Sequence, residues 1–138
     1  ALAKRMDVAD RVIVTTNASL LDERAAGRIL DSGLDFLRVS VYGATAERMR
    51  ALTGTQVPLE RVVANVARLK AMRDGRGAAG THIYAKMIEP GDEAERRRFL
   101  DTFTPICDEA AIEPAMNWNV AQDEIDFSGG APSTPRAT

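Results

Sequence analysis

Ser40 and Tyr42 stand two residues apart in the apolar run Leu34 to Gly43, and Lys86 stands in a second run, Thr81 to Ile88. Alternate residues of a strand share a face, so a hydroxyl or ammonium at such positions can meet an oxygen-rich ligand at the strand's carboxyl end. Thr16 and Asn17 end another apolar run, Val12-Ile13-Val14, where they can either touch a ligand or build the turn before a helix. Asn117 and Trp118, followed by Asn119, bring amides and an indole, which can line a substrate pocket or anchor an interface. His82 is the one histidine, too few for a metal cluster, and reads as structural. Cys107 reads as a buried small hydrophobe. Glu89, Glu113, Asp123, Glu124 and Asp126 show no spacing that demands acid–base pairing. Gly75, Gly77 and Gly80 do not join a strand to a helix, so no dinucleotide fingerprint is present.

Strands and helices must alternate to position these groups. The β-branched run Val12 to Val14 predicts a strand covered on both faces. Asp22 or Ser19 can cap the next helix, whose apolar face is Ala25, Ala26, Ile29 and Leu30, and Gly33 suits its left-handed stop. The second strand, about Asp35 to Val41, points Leu37, Val39 and Val41 one way and Arg38, Ser40 and Tyr42 the other. Thr45 can cap a short helix through Leu52, which Gly54 ends, and Pro58 suits the first turn of a longer one. Leu59, Val62, Val63, Val66, Leu69 and Met72 recur there at helical spacing. In the third strand His82, Tyr84 and Lys86 oppose Ile83, Ala85 and Met87. Asp92 with Glu95 reads as a variant capping box. Phe99, Phe103, Ile106 and Cys107 mark the buried side of the last helix, which Pro105 interrupts or re-initiates, and a fourth strand spans Ala110 to Pro114.

The chain has 138 residues, 45% hydrophobic and 28% charged, with net charge −2. That is ordinary globular composition, and it argues against a nucleic-acid or polybasic membrane surface. Arg96-Arg97-Arg98 sits among Glu93 and Glu95 and reads as a solvated helix face. No apolar run reaches the roughly 20 residues that span a bilayer. Without a basic-then-apolar leader the expected location is cytoplasmic. A single cysteine excludes an internal disulfide framework and a multi-cysteine metal site within this sequence.

Several segments, in this order and spacing, resemble the later half of a radical S-adenosylmethionine enzyme core, closest to its SPASM-type branch and to the molybdenum-cofactor cyclase. They are Thr15 to Leu21, Leu30 to Asp35, Arg38 to Thr45, Leu52 to Thr55, Leu59 to Leu69, and Ile112-Glu113-Pro114 through Asn117-Trp118. The resemblance covers roughly residues 8–120. It implies parallel βα units of an incomplete, partial (β/α)6 TIM-like barrel, with residues 1–119 forming about the third to sixth units. Residues 120–138, poor in large apolar groups, read as a linker or disordered tail.

In that family a Cys-x-x-x-Cys-x-x-Cys motif holds a 4Fe-4S cluster, and S-adenosylmethionine on its open iron yields a 5′-deoxyadenosyl radical that abstracts hydrogen from substrate. The motif is absent from this sequence. The cluster ligands and the amino-terminal part of the core are therefore expected outside it, and the chain alone is expected to be inactive. The resemblance carries cofactor contact to Ser40, and to Thr16 and Asn17 at a strand tip. It carries a cavity-facing position to Lys86. Tyr42 stands where many relatives have Asp, and Thr53 marks the place where many relatives have an Arg that contacts the cofactor carboxylate. The implied substrate is a small molecule or peptide, with Asn117 and Trp118 in its pocket. The alternative is a cluster-free or truncated relative acting as a non-catalytic binding or partner module. An unrelated phosphate-binding half-barrel lacks its Gly-rich strand-to-helix loop here.

Overall fold

The computed structural model describes residues 2–77 and 80–115. Asn117, Trp118 and the tail 120–138 lie outside the described residues. The elements run α1 (Leu2–Arg5), β1 (Ile13–Thr16), α2 (Glu23–Asp31), β2 (Phe36–Val41), α3 (Ala46–Thr53), α4 (Leu59–Gly75), β3 (His82–Ile88), α5 (Glu93–Phe103) and β4 (Glu109–Glu113). The strands form one all-parallel sheet in the order β1-β2-β3-β4.

The alternation in β2 and β3 divides the sheet. Leu37, Val39, Val41, Ile83, Ala85 and Met87 are buried on one face, in one core with Ala26 of α2, Met49 of α3, Val62, Val66 and Leu69 of α4, and Phe99 and Phe103 of α5. Each such aliphatic or aromatic side chain contributes about 1.5–3 kcal/mol through burial. The opposite face carries Phe36, Arg38 and Ser40, then His82, Tyr84 and Lys86, and is half-buried. All helices of the core therefore pack on one side, as crossovers of a single hand between consecutive neighbouring strands require.

Local chemistry sets the helix ends. Asp22 caps α2, its carboxylate accepting from Ala25 N at 2.8 Å, and Gly33 just beyond has φ +71°. Thr45 caps α3, and Gly54 closes it in the left-handed region at φ +65°. Pro58 lies immediately before α4 rather than within its first turn, and α4 continues through Gly75.

Three expectations are corrected. The β1 run is not covered on both faces: it is an outer strand of the sheet, with Ile13 54% and Val14 43% exposed. β-branching favours a strand but carries no information on how many neighbours it has. Asp92 caps α5 by accepting from Ala94 N, but Glu95 does not complete a capping box; it reaches back to the loop after β2. Cys107, although buried, lies past α5 and past the 3-10 turn Thr104–Ile106 that Pro105 initiates.

Candidate ligand cleft at the carboxyl ends of β2 and β3

Ser40 and Lys86 are register partners on neighbouring strands, so parallel pairing sets them side by side on the open face. Beyond them the chain turns away at Tyr42-Gly43 and at Glu89-Pro90, leaving a cleft of about 350 Å³. Its polar lining is Ser40, Tyr42, Arg48, Lys86, Glu89 and Glu95, and its apolar walls are Val41, Leu52, Met87, Ile88 and Pro90. A volume and mixture of this kind fall at the lower end of small-molecule sites, roughly 300–1,000 Å³. A second cleft of about 370 Å³ adjoins it, lined by Asn17, Ser19, Met49, Thr53, Thr55 and Val57, with Tyr42 and Leu52 as the shared partition.

Sequence reasoning missed Arg48 and Glu95. Glu95, on α5, is 7% exposed; its Oε1 accepts from Ala44 N at 3.2 Å and its Oε2 stands 3.7 Å from Arg48 Nε. This buried carboxylate locks the β2–α3 loop to α5 and orients the Arg48 guanidinium at the cleft. Gly43 permits the arrangement, since a Cβ there would stand 2.7 Å from Met49 N and 2.9 Å from the Arg48 carbonyl carbon. The Asp92–Glu95 spacing was the one local signal, and it pointed to a helix cap instead.

Below the cleft, Glu113 of β4 gathers the open face. It accepts from Arg38 Nη2 at 2.8 and 2.6 Å, from the Tyr84 hydroxyl at 2.6 Å and from Lys86 Nζ at 2.9 Å. Burial works to raise the Glu113 pKa, but hydrogen bonds from Tyr84, Lys86 and Arg38 outweigh it and hold the carboxyl at about 2. Burial, then the Glu113 carboxylate, pushes Tyr84 up to about 12. Arg38 Nε is buried without a hydrogen-bond partner among the described residues. Nearer the amino ends, Phe36 stacks on His82 with centroids 4.9 Å apart, and the Arg11 guanidinium lies 4.9 Å from the Phe36 centroid.

The β1 tip is a self-contained turn. Thr16 Oγ1 accepts from Ala18 N at 3.0 Å, and Asn17 Oδ1 accepts from Ser19 N and Ser19 Oγ. Ala18 is fully buried at φ +58°, and its carbonyl accepts from Asn65 Nδ2 at 2.8 Å. Ser40, Tyr42 and Lys86 thus share the first cleft, Asn17 and Tyr42 share the second, and Thr16 lines neither.

Cys107 donates from Sγ to Phe103 O at 2.8 Å, and burial pushes its thiol pKa up, which disfavours the thiolate. Among the described residues no three His, Cys, Asp or Glu side chains group as metal ligands, and no helix is long and apolar enough to cross a membrane. No protein-family model matches the chain, and no curated protein matches it.

Proposed function

We propose that the chain forms the carboxyl-side βα units of a partial barrel of the radical S-adenosylmethionine type, with the cofactor set at the carboxyl ends of β2 and β3. The observation that carries this reading is the sheet. Its strands run in consecutive order, its core helices pack on one face, and its other face is half-buried and carries aromatic and charged side chains. An all-parallel sheet is stable with both faces covered, and a barrel covers the inner face with its own further strands. β1, with exposed Ile13 and Val14, is the edge at which preceding units would continue the sheet.

Ser40 and Tyr42 would hold oxygens of S-adenosylmethionine, and Lys86 would stay paired with Glu113 beneath it. Asn17 would reach the cofactor only through the second cleft. The iron–sulfur cluster does not fit the residues of this chain, whose single cysteine is buried and hydrogen-bonded to backbone. The reading assigns the cluster's thiolates to polypeptide outside this sequence, and nothing in the chain's own residues performs the radical step. They bind and orient; the substrate is a small molecule or peptide.

The test pairs binding with chemistry. Calorimetric titration of S-adenosylmethionine into the chain should show binding that Ser40→Ala weakens by about 5–10-fold, the loss of one hydrogen bond. The reading frame that encodes this sequence, reconstituted anaerobically with iron and sulfide, should release 5′-deoxyadenosine under a reductant. Absence of both binding and release would overturn the reading. A second reading, a cluster-free binding or partner module, is favoured by the single, buried cysteine; it predicts ligand binding without 5′-deoxyadenosine.

A further inference from the structure

We infer that the first cleft recognises the carboxylate of a small organic acid with an apolar body, and that Arg48 is its charge-reading residue. The carboxylates lining the cleft are already engaged. Glu95 takes Ala44 N and Arg48 Nε, while Glu89 takes Gly91 N at 3.0 Å and faces Arg96 Nε at 3.5 Å. Lys86 is held by Glu113. The lining groups with no hydrogen-bond partner among the described residues are Ser40 Oγ, the Tyr42 hydroxyl, and the two Nη atoms of Arg48. All can donate, and one is a permanent cation whose planar fork matches the two oxygens of a carboxylate.

The side chains of Val41, Leu52, Met87, Ile88 and Pro90 form the cleft's apolar wall. A ligand that satisfies the cleft therefore presents a negative planar group at Arg48, Ser40 and Tyr42 and an apolar group to the wall. Glu95 is the positioning residue: it holds Arg48 by one guanidinium nitrogen and leaves both terminal nitrogens to the ligand. The inference concerns the same cleft as the cofactor reading but does not require S-adenosylmethionine to bind there.

Titration of the isotopically labelled chain with hexanoate, hexanamide and hexyl phosphate, followed by amide chemical shifts, tests it. Hexanoate should shift the amides of Val41, Tyr42, Leu52 and Met87 and bind at least about tenfold tighter than hexanamide, the difference expected of a charge-assisted pair. Arg48→Gln should remove about tenfold from hexanoate affinity and nothing from hexanamide, and Tyr42→Phe, which keeps the ring, should remove about threefold. Arg97→Gln, on the outer face of α5, should change neither. The dispersion of each variant's spectrum reports that it is folded. Equal binding of hexanoate and hexanamide, shifts confined to other residues, or full affinity in Arg48→Gln would overturn the inference. Hexyl phosphate binding tenfold tighter than hexanoate would replace the carboxylate by a phosphoryl group. If S-adenosylmethionine neither binds nor releases 5′-deoxyadenosine while hexanoate behaves as stated, the cofactor reading falls and the carboxylate site stands.

Discussion

The Tyr84 hydroxyl donates a 2.6 Å hydrogen bond to Glu113 Oε1, linking β3 to β4 across the open face of the sheet. Lys86 and Arg38 converge on the same carboxylate, so one side chain joins β2, β3 and β4. Glu113→Ala should leave two cations and a phenol without their acceptor. The expected cost is about 1–3 kcal/mol, the range for hydrogen bonds to charged groups at half-buried sites. Urea unfolding monitored by circular dichroism reads it, and a loss below about 0.5 kcal/mol would show the network to be idle.

The same pair titrates in opposite directions. Glu113 is held at about 2 against an ordinary 4.5, so its stabilisation is present above 4.5 and is lost as pH falls through about 2. Tyr84 is raised from 10 to about 12, so its stabilisation is present below 10 and is lost as pH rises through about 12. The difference between ultraviolet absorbance titrations of the native chain and Tyr84→Phe isolates this phenol. Its midpoint should lie near 12; a midpoint near 10 would mean that the Glu113 contact does not persist in solution.

Periodicity made the faces legible and left the neighbours unread. That Ser40 and Lys86 point the same way as Arg38, Tyr84 and His82 follows from alternation within each strand. That Ser40 stands beside Lys86 requires the register of β2 on β3. Arg48 and Glu95 meet across two helices separated by a whole βα unit, and no local pattern announces such a pair. Glu113, read only as an unpaired carboxylate, becomes the centre of the open face because β4 lies parallel to β3. Thr16 is open in sequence to a ligand or to a turn, and its Oγ1 accepts from the Ala18 amide in the turn after β1.

Gly43 is required by close approach rather than by a left-handed backbone. An added Cβ would stand 2.7 Å from Met49 N and 2.9 Å from two atoms of Arg48, so backbone as well as side chain must move. Gly43→Ala should push the first turn of α3 away from β2, at a cost of about 1–3 kcal/mol typical of overpacking. Because Arg48 travels with that turn, hexanoate affinity should fall together with stability. Loss of stability with affinity intact would show that the cleft tolerates the displacement.

Asp35 and Asp108 repeat one device at the opposite end of the sheet, and they separate stability from binding. Each lies immediately before a strand and accepts a backbone N–H at or near the start of the preceding one: Val12 for Asp35, Ile83 for Asp108, both at 2.7 Å. Each also pairs with a basic helix residue, Lys4 for Asp35 and Arg73 for Asp108, and those partners hold both carboxyls below the ordinary range. Asp108→Ala would strip the Ile83 amide of its acceptor and the largely buried Arg73 guanidinium of one of its partners, Asp74 and the Thr81 carbonyl remaining, for a cost of about 1–3 kcal/mol. The amino ends of β3 and β4 are remote from the cleft, so the hexanoate affinity of the folded fraction should be unchanged. Arg48→Gln should do the converse, losing affinity with little change in the urea midpoint. Parallel losses of stability and affinity in both variants would mean that the two ends of the sheet are not independent.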